Sequence, residues 1–414
     1  MLDRTYRVGF PTRGSLLGTA EIAALTGLID SGAPLTSGAH RDRFEKRFRE
    51  HVGTAHAMSV TSGTVALELA IHLLDLRPGD EVIVTPQTYQ ATIAPLLDFD
   101  AEVTFCDVEP DTLNMDPAVL ETLVSDRTAA VMLVHYGGCP AEMDRITAAA
   151  HEHGAIVVED CAHALGASRH GRRPGALADI GCFSFHNSKN LTTLGEGGMI
   201  TFDRDDWALR LERLRSNNVD GVFGPAVPAE PPALLPWMKF ADEVYSHSYT
   251  EILRAGTNAT MSEAAAAVGS VQLDRLPELS ARRRDIAHRL DEALAQSAAD
   301  VRPHRAPPGT EHAYHLYTFF VDSGPLERER LVKSLDRRGI EVQLRYFPLH
   351  LTPEWRARGH RAGECPVAEG SWFDRHVNLP CHPGLTDAQL DHLAEVLHAE
   401  LSGERVFQSS QPIS

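Results

Sequence analysis

The chain has 414 residues, of which 43% are hydrophobic and 23% charged, which suffices for about two domains with a core that needs no covalent staples. Its formal charge of -18 excludes a nucleic-acid or anionic-membrane surface, because both need clustered positive charge. No run of about 18 apolar residues is present to span a bilayer, and Met1-Leu2-Asp3-Arg4 lacks the profile of a secretory leader. Six cysteines without a CxxC pair predict reduced thiols, and hence a cytoplasmic location, and argue against structural zinc or a disulfide scaffold.

In chain order, the pattern predicts a mixed-charge helix over Arg41–His51, a buried strand over Ala57–Val60 and an Ala/Leu-rich helix over Val65–Leu74. Short apolar runs at Glu81–Val84, Val103–Phe105, Ala130–Val134 and Ile156–Val158 read as strands, separated by helices near Gln90–Leu97, Ala118–Leu123 and Asp144–His153. Strand and helix alternating at this spacing predict an α/β fold, a mainly parallel sheet with helices on both faces. Strands so short and so apolar are covered on both sides. The Pro- and Ala-rich stretch Pro225–Pro236 reads as a loop. Helices over Met261–Leu276 and Glu278–Ala295, a strand over His315–Asp322, a helix over Glu327–Arg338, a strand over Val342–Leu344 and a last helix over Asp387–His398 form a smaller α+β unit. The expected division is a large domain over 1–250 and a small C-terminal domain over 251–414.

The most informative stretch runs from Val157-Val158-Glu159-Asp160-Cys161-Ala162-His163 to Phe183-Ser184-Phe185-His186-Asn187-Ser188-Lys189-Asn190. An apolar strand that ends in an acid puts a carboxylate at the carboxyl edge of the sheet, where ligands bind in open α/β folds. A second short strand then delivers a lysine beside Gly195-Glu196-Gly197-Gly198, a run that lets backbone approach closely. Acid and lysine at neighbouring strand ends suit pyridoxal phosphate: the amine condenses with the aldehyde, and the carboxylate keeps the pyridine nitrogen protonated. On spacing alone, a helix-capping Asp160 and a solvated Lys189 are the other reading. Only four lysines exist, Lys46, Lys189, Lys239 and Lys333, and the others sit on amphipathic helices or in the Pro-rich region. Ser62-Gly63-Thr64, between strand and helix, is a phosphate site or an ordinary N-cap. Tyr89 follows the next strand and either stacks on a flat ring or simply packs.

These blocks resemble the DegT/DnrJ/StrS family of fold-type-I, pyridoxal-phosphate-dependent aminotransferases, which act on keto sugars and keto cyclitols. The resemblance covers nearly the whole chain and is most specific at Glu159-Asp160 and at the Lys189 motif through Gly198. It implies a large domain built on a seven-stranded-type sheet plus a smaller domain. By residue, it implies that Lys189 holds the cofactor and shuttles a proton, Asp160 pairs with the pyridine nitrogen, His163 bonds the ring hydroxyl and Tyr89 stacks on the ring. Ser62, Gly63, Thr64 and Ser184 would form the phosphate site, and Asn258 would reach it from the other subunit of a homodimer with shared active sites. The expected partners are an amino-acid donor, glutamate or glutamine, and a small-molecule ketone on a nucleotide-linked sugar or a cyclitol. Two departures stand out. Thr257-Asn258-Ala259-Thr260-Met261 lacks the arginine and both tyrosines usual there, and Arg345 precedes Tyr346 where a histidine is commoner. The enzyme rival is a dehydratase or aromatising relative, and the rival of another class is a non-catalytic cofactor-binding regulator. A Rossmann dehydrogenase is weaker, since no Gly-x-Gly-x-x-Gly follows an early strand. The bias to arginine over lysine points to a GC-rich genome and to secondary-metabolite, including antibiotic, biosynthesis.

Overall fold

A computed structural model describes residues 5–216, 220–224, 249–254, 256–296 and 300–402. Contact density divides the chain into two units, Met1–Asp203 with Met261–Ser414, and Arg204–Thr260. The Pro225–Pro236 loop and Lys239 lie outside the described residues.

The larger unit begins with helices α1 (Thr19–Ser31) and α2 (Ala39–Val52), then strand β1 (His56–Val60) and helix α3 (Gly63–Leu73). Strands β2 (Glu81–Val84), β3 (Glu102–Phe105), β4 (Thr128–Val134) and β5 (Ile156–Asp160) follow, with α4 (Pro117–Leu123) and α5 (Met143–Glu152) in the crossovers. After the two-residue β6 (Ser168–Arg169), strands β7 (Ile180–Ser184) and β8 (Gly198–Phe202) complete a seven-stranded sheet in the order β1-β8-β7-β5-β4-β2-β3. Only β8 runs against its neighbours. The mainly parallel α/β sheet expected from the sequence is therefore present, but Gln90–Leu97 is two short 3-10 turns, Gln90–Thr92 and Ala94–Asp98. Pro95 at the start of the second turn lacks an N–H to continue a longer helix.

Side chains alternate across each strand, and the register decides what faces what. Ile83, Val131, Leu133 and Val157 share one face and pack with Leu120, Ile146 and Ala150 of the crossover helices. Phe183 and Met199 extend that face and meet Phe44 and Phe48 of α2. Asp160 pairs in register with Cys182, so Asp160 and Ser184 project from the opposite face, the side on which α3 crosses β7 and β8.

Helix α6 (Asp205–Arg215) and the antiparallel strand pair β9 (Asp220–Gly224) and β10 (Tyr249–Arg254) belong to the smaller unit. Within it, Asn258 is bridged to Ser216, and Thr257 N–H donates to Leu214 C=O at 2.6 Å.

One helix, α7 (Glu263–Ala295, 33 residues), replaces the two expected on either side of Pro277. Proline removes one helical hydrogen bond and costs about 3 kcal/mol in a helix interior. The cost is overridden because each half is anchored: Leu273 and Leu276 enter the aromatic core with Phe44, while Ile286, Leu290 and Leu294 enter a second core. That second core lies on a three-stranded antiparallel sheet of β11 (Val301–Pro303), β13 (Tyr317–Val321) and β14 (His376–Leu379). Strand β12 (Thr310–Glu311) pairs instead with β6. Helices α8 (Pro325–Arg337) and α9 (Asp387–Leu401) cover the second core. The strand expected at Val342–Leu344 is only an isolated bridge from Gln343 to Asn378, because the chain turns away at Arg345 toward the large sheet. All six cysteines are buried and unpaired, as expected. No helix among the described residues is long and apolar enough to cross a membrane.

Candidate active site

A cavity of about 530 Å³ opens at the carboxyl ends of β4, β5 and β7. Ser62, Gly63, Thr64, Tyr89, Asp160, His163, Ser184 and Lys189 all line it, together with Thr88, His186, Glu196, Arg345 and Tyr346. Eight of the nine residues singled out in the sequence are thus brought together; Asn258, in the smaller unit, is not among the described residues lining the cavity.

Lys189 sits in the loop that joins β7 to antiparallel β8. The loop is closed by Phe185 N–H to Gly197 C=O and Asn187 N–H to Gly195 C=O, both at 2.7 Å. Its base is pinned by Asn190, which donates to the carbonyls of Leu165 at 3.2 Å and Ala313 at 3.1 Å. The glycine run does what close approach requires: a Cβ on Gly198 would lie 2.4 Å from the Ser62 carbonyl oxygen. The lysine loop and the start of α3 can therefore touch. Burial pulls the Lys189 amine down to about 8, with Asp160 opposing the shift and the Arg345 cation adding to it.

The start of α3 has the geometry an anion site would need. The Ser62 hydroxyl caps the helix by accepting from Val65 N–H at 3.2 Å, so the N-cap reading of this residue is correct. The N–H groups of Gly63 and Thr64, in the first turn, have no intrahelical acceptor and suit a phosphate. Gly63 is needed because a Cβ there would lie 2.6 Å from the Cβ of Ser184.

Asp160 is buried at the end of β5. Its Oδ1 accepts from Ala162 N–H at 2.9 Å and its Oδ2 from the Thr92 hydroxyl at 2.7 Å. Thr92 is bonded in turn to Thr88 at 2.6 Å. Its neighbour Glu159 points to the other face and is fully used there by His135 and by the N–H groups of Gly175, Leu177 and Ala178. One residue of register separates the structural acid from the available one. His163 is buried and held neutral by burial, reinforced by the Lys189 and Arg345 charges. Its Nε2 meets the Tyr346 hydroxyl at 3.1 Å, and its Nδ1 has no partner. His163 stacks on His315 with ring centres 4.3 Å apart. Tyr89 is half exposed, tilted 60° to Tyr346 at 6.0 Å, and free to lie over a bound ring.

The other described lysines are surface partners: Lys46 faces Glu50 at 4.0 Å and Lys333 pairs with Glu329. Sequence reading singled out Arg345 and Tyr346 as a departure, and both line the cavity, but it missed the roles of Thr88 and Thr92 and the contact of Tyr346 with His163. The two threonines carry a weak signal, four residues apart beside Tyr89, but Tyr346 comes from 183 residues beyond His163, a contact no local pattern announces.

Unsatisfied N–H groups at a helix start, a buried carboxylate, a neutral imidazole and a desolvated lysine around a cavity of this size fit pyridoxal phosphate. The DegT/DnrJ/EryC1/StrS aminotransferase family profile matches residues 16–398. The chain belongs to that family. This aminotransferase is 35% identical over 357 residues to the GDP-perosamine synthase of Caulobacter vibrioides, covering 86% of this chain and 88% of that one. It matches the structure of the aminotransferase TlmJ from Streptoalloteichus hindustanus with a TM-score of 0.81, at 31% identity, over 95% of this chain and 99% of that one. The Spr1654 protein of Streptococcus pneumoniae, solved in its pyridoxal phosphate form, matches with a TM-score of 0.80 at 27% identity, over 94% of this chain and 98% of that one. The enzyme is a pyridoxal-phosphate-dependent aminotransferase, as the lysine motif led us to expect.

The Lys189 value has a pH consequence. Above about 8 the folded protein holds a free amine, so capture of added cofactor should rise with pH, pass half-maximum near that value and then level off. Stopped-flow absorbance checks it; a midpoint near the ordinary lysine value of 10.5 would contradict the geometry. For stability, the unfolded lysine keeps its proton between about 8 and 10.5 while the folded one has released it, so this group's contribution is lost as pH falls through about 8.

Proposed function

We propose that the enzyme moves an amino group from L-glutamate or L-glutamine to a ketone on a sugar, nucleotide-linked, or on a cyclitol, in secondary-metabolite biosynthesis. The single observation that carries the chemistry is the placement of Lys189 and Asp160 in one cavity at adjacent strand ends. The GDP-perosamine synthase likeness supports a sugar acceptor.

When bound, pyridoxal phosphate supplies an electron sink for the carbon that bears nitrogen. Around it, Gly63, Thr64 and Ser184 hold the phosphate, with Ser62 fixing the helix start that presents the N–H groups. Asp160 keeps a proton on the ring nitrogen, and the Thr92 and Ala162 donors orient its two oxygens. His163 bonds the ring hydroxyl, and Tyr89 covers one ring face and excludes water from it. Lys189 Nζ would take the proton from the substrate carbon on one side of the nitrogen and return it to the carbon on the other side, a transfer for which an amine near 8 is well matched. A lysine in this place disfavours dehydration, and retention of both Lys189 and Asp160 disfavours a regulator without activity.

The enzyme acts as a homodimer in which Asn258 reaches the partner's phosphate site. Ile22, Ile29 and Leu35, exposed on and after α1 in the single chain, offer an apolar surface for the partner. The expected division into a large cofactor domain over 1–250 and a small domain over 251–414 is supported by the separate core around β11, β13 and β14.

The visible spectrum tests the reading. Purified protein loaded with pyridoxal phosphate should show an absorption band that bleaches on addition of glutamate or of glutamine, which names the donor. Protein that takes up no cofactor would sink the proposal.

A further inference from the structure

Arg345 is the cation the cofactor reading does not use. Its main chain is fixed by three elements: its N–H donates to Asn378 Oδ1 of β14 at 2.7 Å, its carbonyl accepts the Tyr136 hydroxyl from the turn after β4, and the Tyr346 carbonyl accepts Gln87 Nε2 at 3.0 Å. The side chain extends into the cavity wall, with its guanidinium over the ring of Phe10 at 5.6 Å. It stands close enough to Lys189 to help draw that amine down.

Guanidinium groups elsewhere in this acidic chain commonly meet carboxylates: Arg127 pairs with Glu102 at 3.0 Å, Arg145 with Glu121 at 2.8 Å, Arg302 with Asp111 and Asp322 at 2.7 Å. Arg345 has no carboxylate within ion-pair distance among the described residues. Asp160, which shares the cavity wall, forms no ion pair with the guanidinium, and Glu196, the other acid there, leans to His186 at 3.6 Å. A guanidinium does not lose its charge at any working pH, and holding it half-buried without a counterion is costly. That cost is recovered when a bound molecule brings the anion. The phosphate does not do so, because its cradle is built at the start of α3 from other residues.

We propose that Arg345 is the carboxylate clamp of this pocket, gripping the carboxylate of the substrate whose nitrogen-bearing carbon is served by Lys189. The planar guanidinium matches a carboxylate with two parallel hydrogen bonds. Because Arg345 and Lys189 line one cavity, the anion it takes is the carboxylate of a molecule whose reacting carbon lies in that same cavity, as in an α-amino acid or a ring acid. The proposal rests on the aminotransferase reading, and it gives the donor a binding group within the chain that holds Lys189.

The test compares wild type, R345K and R345Q as cofactor-loaded proteins. Arg345 is held in place by main-chain bonds, so both variants should fold, and R345K keeps the charge. In the donor arm, 2-methyl-L-glutamate, which has no hydrogen on its α-carbon, is titrated by calorimetry beside 4-aminobutyrate, which has no α-carboxylate. In the acceptor arm, the aminated cofactor form is titrated with 2-hydroxycyclohexane-1-carboxylate, an unreactive analogue whose carboxylate stands beside the carbon that would bear the ketone, and with cyclohexanol. R345Q should weaken the carboxylate ligand of one arm by about 30-fold, roughly 2 kcal/mol, and leave its neutral-carbon counterpart unchanged, with R345K between. Loss in the donor arm places the clamp on the amino acid, and loss in the acceptor arm places it on a ring acid. Unchanged affinity in both arms overturns the proposal, as does an R345Q protein that no longer takes up cofactor. Wild type that takes up no cofactor refutes the aminotransferase reading instead, and calorimetry of 2-methyl-L-glutamate on that protein still reads the clamp.

Discussion

K189A is expected to abolish amino transfer. Proton transfer by a positioned side chain contributes roughly 10²- to 10⁴-fold, and Lys189 is the only described lysine in the cavity, so no neighbour can replace it. The lost side chain carries an amine that burial destabilises, so the thermal midpoint should hold or rise slightly while turnover disappears. Single-turnover assays with each donor check this, and near-normal turnover in K189A would mean the nucleophile has been misassigned. The same variant tests the shared site. Mixed with N258A subunits, it forms hybrids in which one site has Lys189 from one chain and Asn258 from the other. Partial recovery of activity is expected, and none at all would refute the contribution of Asn258 across the interface.

D160N should lower the rate by about 10²- to 10³-fold, the range for losing one preorganised electrostatic contact. The amide is nearly isosteric, and its hydrogen bonds can be kept. Its oxygen still accepts from Ala162 N–H, and its NH₂ donates to Thr92, whose hydroxyl then turns toward Thr88. This reversible pair of hydroxyls makes the substitution cheap for the fold, about 1 kcal/mol. Cofactor should still bind, with a changed band. A D160N enzyme within a fewfold of wild-type turnover would remove the carboxylate from its role.

Much of the large sheet is legible because its strands are short apolar runs punctuated by turns, and because Asp160 closes one of them and the Lys189 loop follows another. The site is legible for the same reason: residues at consecutive carboxyl ends of a parallel sheet must converge. What escapes is what depends on distance in sequence. Pro277 looks like a stop, and only the two cores that grip α7 on either side explain why the helix continues. Val342–Leu344 has strand composition, yet its hydrogen bonds go to a bridge and its chain to the cavity wall. The Glu159-Asp160 pair gives no sign of which acid is spent on His135 and three N–H groups and which remains available; the strand register decides it. Tyr346 against His163 is likewise a long-range contact without a local signature.

Helix α7 has a consequence for how the molecule comes apart. Its 33 residues extend about 50 Å at 1.5 Å each, and neither half is dispensable to the core it enters. At its start, the Glu263 carboxylate accepts from the N–H groups of Gly38 and His40, both at 2.8 Å, and so also fixes the start of α2. Loss of the small sheet's core would fray the same helix that closes the aromatic core of the large one. The two sheets are therefore expected to melt as a single cooperative event, with one spine between them and one heat-capacity peak in calorimetry.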